Sequence, residues 1–107
     1  MAFDHVYHES TLSPDDLRST VGPVVVEFGA TWCGICSAFT HQAASEFEAF
    51  PQVQHIRVED GPGKRLGRSF RVKLWPSFVF LLNGEVVDQV ARPDRQQLRA
   101  GLEKITD

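Results

Sequence analysis

Val24-Val25-Val26-Glu27-Phe28, then Gly29-Ala30-Thr31, then Trp32-Cys33-Gly34-Ile35-Cys36 is the stretch on which the reading of this chain turns. The first five residues are nearly continuous in apolar side chains and β-branched at three positions, as a strand buried on both faces reads. From Gly34 the apolar residues change to a longer period, Ile35, Phe39, Ala43, Phe47 and Phe50, with Ser, Thr, Gln and Glu between them, which predicts a helix ending before Pro51. Cys33 therefore falls where a strand turns into a helix, and the free N–H groups and positive dipole end there stabilise a thiolate. Cys36 returns one turn later on the same face, close enough for a short disulfide. Both cysteines of the chain lie in this stretch, so the pair reads as a redox site that alternates between dithiol and bridge.

The rest of the sequence reads as support for that site. Phe3, Val6 and Tyr7 suggest a short initial strand. Ser13-Pro14-Asp15-Asp16 offers a cap, a first-position proline and two first-turn acids, predicting a short helix from Pro14 to about Thr20 that stops at Gly22-Pro23. Residues 53–59 alternate, with Ile56 and Val58 inward, and form the next strand. Gly61-Pro62-Gly63 breaks the chain before a weakly helical stretch from Lys64 to Phe70. Ser77 to Leu82 is a strong strand, Asn83-Gly84 the favoured two-residue hairpin turn, and Glu85 to Val90 its antiparallel return. Pro93-Asp94 opens a last helix with Leu98, Leu102 and Ile105 on one stripe. The predicted order is β-α-β-α-β-α-β-β-α, an α/β fold with a central mixed sheet and helices on both faces.

At 107 residues this is a single domain, residues 1–107, large enough for one core. A 42% hydrophobic and 23% charged composition argues against disorder, and a net charge of −3 gives no case for nucleic acid or an anionic membrane. No apolar segment approaches bilayer-spanning length. The start, Met1-Ala2-Phe3-Asp4-His5, lacks a secretory leader, so a cytoplasmic location is expected if the chain is complete. Two cysteines are too few for a four-thiolate zinc site, and His5, His8, His41 and His55 show no zinc-finger spacing to them, so no metal is expected.

The Trp32-Cys33-Gly34-x-Cys36 run after a buried strand, Pro76 at the start of the fourth strand, and the Asn83-Gly84 hairpin together resemble the thioredoxin family over nearly the whole length. The resemblance implies a thioredoxin fold, a cis proline at Pro76 facing the cysteines, Cys33 as exposed nucleophile, Cys36 as buried resolving thiol, and Trp32 as the surface indole beside them. It also implies a monomer that reduces protein disulfides, carries no cofactor of its own, and is recharged by a flavin-dependent NADPH thioredoxin reductase. Electron transport and cell redox homeostasis are the corresponding roles.

Several positions depart from the family pattern. Ile35 replaces the usual proline beside Gly34, which frees φ and restores an N–H donor, and points to a weaker reductant than the typical member. Glu27 stands where the family has a buried aspartate that accepts the resolving thiol's proton. An apolar setting would favour its neutral form, as a proton shuttle requires; the alternative is an idle, edge-facing glutamate. Trp75, before Pro76, replaces a smaller residue where a substrate strand pairs, and either grips a partner, obstructs a general one, or packs on the sheet edge. Ala91 takes the place of a glycine that admits the substrate backbone. His41 replaces a kinking proline, His55 or Arg57 replaces a lysine near the buried acid, and Lys64, Arg65 and Arg68 read as a solvated helix face. Two functions follow: a thiol–disulfide oxidoreductase, or a client-binding or chaperone module in which turnover is incidental.

Overall fold

Val24, Val25 and Val26 have no exposed surface, because the strand they begin lies inside the sheet with cover on both faces. The computed structural model describes residues 3–106. Its elements are α1 (Pro14–Arg18), β1 (Pro23–Gly29), α2 (Gly34–Glu48), β2 (Gln54–Glu59), α3 (Arg65–Ser69), β3 (Ser77–Leu82), β4 (Glu85–Ala91) and α4 (Arg95–Lys104). Among the described residues the sheet has four strands in the order β2-β1-β3-β4. β1 runs parallel to β2, with Glu27 opposite Arg57, and antiparallel to β3, with Glu27 opposite Phe78.

Alternation along β1 divides the core in two. Val25 joins Phe78 and Phe80 under Ala43 and Phe47 of α2 and Leu98 and Leu102 of α4. Val24, Val26 and Phe28 join Val79 and Leu81 under Leu17 of α1 and Leu66 of α3. Each large apolar side chain buried this way stabilises the fold by about 1.5–3 kcal/mol before entropy is counted. Glu27 shares the face of Val25, and its neighbours on β2 are His55 and Arg57, both buried. The polar half of β2 thus faces inward as fully as Val58, because Glu27 supplies a partner for it.

Local chemistry sets the ends. Ser13 and Asp16 form a reciprocal capping box on α1, and Asp94 and Gln97 do the same on α4. Asn83 and Gly84 both have left-handed backbones, with φ of 50° and 82°, as the two-residue turn between β3 and β4 requires. A Cβ on Gly84 would also run into the carbonyl oxygen of Arg18, so only glycine fits there.

The expected initial strand is corrected to a single bridge, His8 to Val58. Asp4 explains the shortfall. Its backbone N–H donates to His55 Nδ1 at 3.0 Å, and its carboxylate accepts from the Arg57 N–H at 3.0 Å, so side chains take the donor and acceptor positions of a ladder. The N-terminal segment still covers the β2 edge. On α2, Ala43 and Phe47 are buried and Phe39 half-buried as the periodicity predicts, and Phe50, just past the helix end, is half-buried too, but Ile35 is exposed. Glu46, unremarked in the sequence, is buried and bound by Arg95 and Arg99 of α4 at 2.8 Å each.

Candidate active site

Cys33 is the N-cap of α2. Its backbone is extended, its Sγ accepts the Cys36 N–H at 3.1 Å, and its carbonyl accepts from Ser37 N at 3.0 Å. The two sulfurs are bonded, with the Cα atoms 5.2 Å apart. Cys33 is 8% exposed and Cys36 1%. A 15-residue helix points its positive end at Cys33 Sγ, which favours the thiolate when the bond opens.

Around the pair lies an apolar rim. Trp32 is 72% exposed, Ile35 is exposed, and nothing lies within 4 Å of a Cβ placed on Gly34, so this face is open to a large reactant. Trp75 is half-buried and packs with the cluster of Tyr7, Ala30, Cys33 and Cys36. The Trp75-Pro76 peptide is cis. The indole is fixed at both ends: Nε1 donates to Asp60 Oδ2 at 2.9 Å, and the ring meets Trp32 edge-on with centroids 5.2 Å apart. Ala91 is exposed at the end of β4, opposite Ser77. The left-handed backbone that favours glycine falls one residue further on, at Arg92, with φ of 49°.

Beneath the cysteines the surroundings of Glu27 differ from the apolar setting expected. The carboxylate is 1% exposed, and four hydrogen bonds reach it. Oε1 accepts from His55 Nε2 at 2.8 Å and Arg57 Nε at 3.1 Å. Oε2 accepts from the Tyr7 hydroxyl at 2.6 Å and an Arg57 terminal nitrogen at 3.0 Å. Burial alone pushes the carboxyl up, but hydrogen bonds and charge from His55, then Arg57, outweigh it and hold the group below the ordinary range. The neutral form is therefore not the favoured one. His55 and Arg57 do not compete for one role; both bind the acid.

Arg57 carries the network toward the redox pair. The same terminal nitrogen donates to Thr40 Oγ1 at 2.8 Å, and Thr40 donates to the Cys36 carbonyl at 2.8 Å. Its guanidinium lies over the Tyr7 ring at 4.1 Å. Burial, and then the Glu27 charge, push the Tyr7 phenol far above its ordinary value, so it stays protonated. Gly29 makes room for this ring: a Cβ there would lie 2.6 Å from it. An open hollow of about 360 Å³, lined in part by His5, Tyr7, Thr31, Thr40 and Arg57, gives solvent access to this side of the network.

Tyr7, Thr40 and Arg92 were not legible as site residues. A lone tyrosine in a short N-terminal segment carries no periodic signal, and a helix threonine reads as surface. His41 is exposed on α2, and of the basic group on α3 Lys64 is paired with Glu9 at 2.7 Å while Arg65 and Arg68 are exposed.

A bonded cysteine pair capping a helix, with an open apolar rim and a cis proline alongside, is a site for thiol–disulfide exchange. The family model described as Thioredoxin matches residues 8–104, and the chain belongs to the thioredoxin family. The solved structure of thioredoxin 2 from Pseudomonas aeruginosa, in its reduced form, is 47% identical and superposes with a TM-score of 0.82 over 92% of this chain and 93% of that one. Thioredoxin-2 of Pyricularia oryzae is 32% identical over 77 residues, 72% of this chain, but the match spans only 45% of that longer protein. A thioredoxin H-type of Ricinus communis is 29% identical over 81% of this chain and 74% of its own length. Among the described residues no helix is long and apolar enough to cross a membrane.

Proposed function

We propose that the chain reduces protein disulfides. The observation that carries the reading is the Cys33–Cys36 bond at the start of α2, with the Cys36 N–H directed at Cys33 Sγ. In the dithiol state the Cys33 thiolate attacks a substrate disulfide, forming a mixed disulfide and releasing one substrate sulfur as a thiol. Cys36 then loses its proton and attacks Cys33 Sγ; the second substrate sulfur leaves, and the protein holds the bridge. Two electrons pass to the substrate. The reading includes a monomer in the cytoplasm, returned to the dithiol by a flavin-dependent NADPH thioredoxin reductase.

Glu27 enters through its network. A carboxylate has about four acceptor positions, and four donors occupy those of Glu27, so a thiol proton reaches it only as a donor hands one over. The Tyr7 hydroxyl is the neutral donor and packs in the cysteine cluster. It passes its proton to Oε2 as it accepts one from the Cys36 side, and Glu27, which favours the ionised form, then gives that proton back through Tyr7 to water in the adjoining hollow. Trp32, Gly34, Ile35, Trp75 and Ala91 form the surface over which the substrate lies, with Pro76 buried next to Trp75.

The second reading, a client-binding module with little general turnover, draws on the Trp75 indole, which is held by Asp60 and Trp32. Trapping tests the assignment: Cys36→Ser accumulates mixed disulfides and Cys33→Ser does not, whereas equal capture by both contradicts it. An equilibrium reduction potential measured beside a disulfide-reduction assay separates the two functions, because a module that only binds leaves the disulfide unreduced.

A further inference from the structure

Arg92 differs from the arginines that neutralise the two buried glutamates. Arg57 is paired with Glu27, and Arg95 and Arg99 with Glu46. Among the described residues, no carboxylate lies within ion-pairing distance of Arg92. Its Nε instead donates to the Trp75 carbonyl at 2.8 Å, and its backbone N–H to the Pro76 carbonyl at 2.8 Å. Both bonds fasten it to the residues that flank the cysteines, since Trp75 packs in the Cys33 and Cys36 cluster. The Arg92 side chain is thus exposed, without an ion-pair partner among the described residues, and anchored on the carbonyl of Trp75, whose ring packs with Cys33 and Cys36.

Two physical points give that placement a consequence. A guanidinium is a rigid planar fork, so holding it by Nε leaves its terminal N–H groups aimed away from the anchor and ready for a carboxylate. Anchoring in the free protein also removes side-chain entropy that a loose arginine loses only on binding. The left-handed backbone at Arg92 is uncommon for a residue other than glycine, and such outliers cluster at functional sites.

We infer that Arg92 is a charge-selective subsite, favouring disulfides in which a residue beside the reacting cysteine carries a carboxylate. The inference rests on the proposed disulfide reduction and names the substrate class it prefers. Any segment that brings a sulfur to Cys33 crosses Trp32 or Trp75, and an acidic side chain near that sulfur meets the Arg92 fork. A basic one meets like charge.

The test uses two disulfide-linked peptides identical but for Glu or Lys beside the cysteine, each assayed for the rate of reduction by the dithiol protein. Wild-type protein prefers the Glu peptide by about fivefold at low ionic strength, the upper range for an exposed ion pair, and less at high salt. Arg92→Gln brings the ratio close to one, and Arg92→Glu reverses it. Arg92→Gly, which suits the left-handed backbone, gives the same near-unit ratio and so separates loss of charge from a disturbed loop. Equal rates for both peptides with wild-type protein, or an unchanged preference in Arg92→Gln and Arg92→Gly, overturn the subsite while leaving disulfide reduction standing. Reduction of neither peptide by wild-type protein overturns the proposed activity and the subsite together.

Discussion

The Tyr7 hydroxyl donates to Glu27 Oε2 across 2.6 Å while an Arg57 terminal nitrogen donates to the same hydroxyl at 3.0 Å, so a phenol from the N-terminal segment is built into the charge network of the central strand. Tyr7→Phe keeps the ring over Gly29 and removes only the oxygen. The variant is expected to lose about 1–3 kcal/mol of stability, the cost of leaving buried polar groups short of a partner. Resolution by Cys36 slows by about tenfold or more near neutral pH, and attack by Cys33 changes much less. Rapid-mixing kinetics of the two steps across pH check this; equal slowing of both steps assigns Tyr7 a packing role alone.

Glu27→Gln leaves the Arg57 guanidinium buried without its counter-charge, which costs about 3–5 kcal/mol. The pH dependence has a definite sign. The folded-state carboxyl of Glu27 is held below its unfolded value, so its contribution to stability is present above the unfolded pKa and is lost as pH falls through the folded one. Denaturant unfolding of wild type and variant should therefore give curves that are far apart near neutral pH and converge below about pH 4. A constant gap down to acid pH contradicts an ionised Glu27.

Much of this architecture is readable from residue pattern. Three consecutive valines, the shift to helical spacing after Cys33, and Asn83-Gly84 locate β1, α2 and the hairpin because burial and turn geometry leave few alternatives. The cis proline and the division of labour between the cysteines came from family resemblance instead. Partners far apart in the chain were not readable from local pattern: Glu27 is 30 residues from Arg57 and 20 from Tyr7; the resemblance put His55 or Arg57 near the acid, but nothing pointed to Tyr7. The initial strand failed for a related reason, since Asp4 satisfies β2 through its side chain. Glu46 was hidden on α2 because its partners lie on α4.

Glu46 offers an asymmetric test. Its carboxyl is held low by the Arg99 hydrogen bond, against burial, with Arg95 assisting. Glu46→Met leaves two arginines that already reach solvent, so a loss of about 1 kcal/mol is expected. The paired change Arg95→Met and Arg99→Met strands a buried carboxylate and costs more. Chemical denaturation ranks the two; a costlier Glu46→Met contradicts the clamp between α2 and α4.

For Trp75, fixation by Asp60 and Trp32 makes the indole a rigid wall beside the cysteine pair, and under the proposed function a wall of the substrate surface. Trp75→Ile is expected to weaken a partner captured by the Cys36→Ser variant by about 2 kcal/mol, roughly 30-fold in affinity. Calorimetry on that partner checks it. Unchanged affinity together with faster reduction of a generic protein disulfide shows that the indole obstructs.

The central claim is that Cys33 and Cys36 pass two electrons to a protein disulfide as a unit. Mixing the reduced protein with an equimolar oxidised protein substrate and following both by intact mass tests it most directly. The account predicts one-for-one exchange, the substrate gaining two hydrogens as this chain loses two, with a transient adduct at Cys33 that persists in Cys36→Ser. A reduced chain that keeps both thiols while the substrate stays oxidised, under conditions where a small dithiol reduces it, contradicts the account.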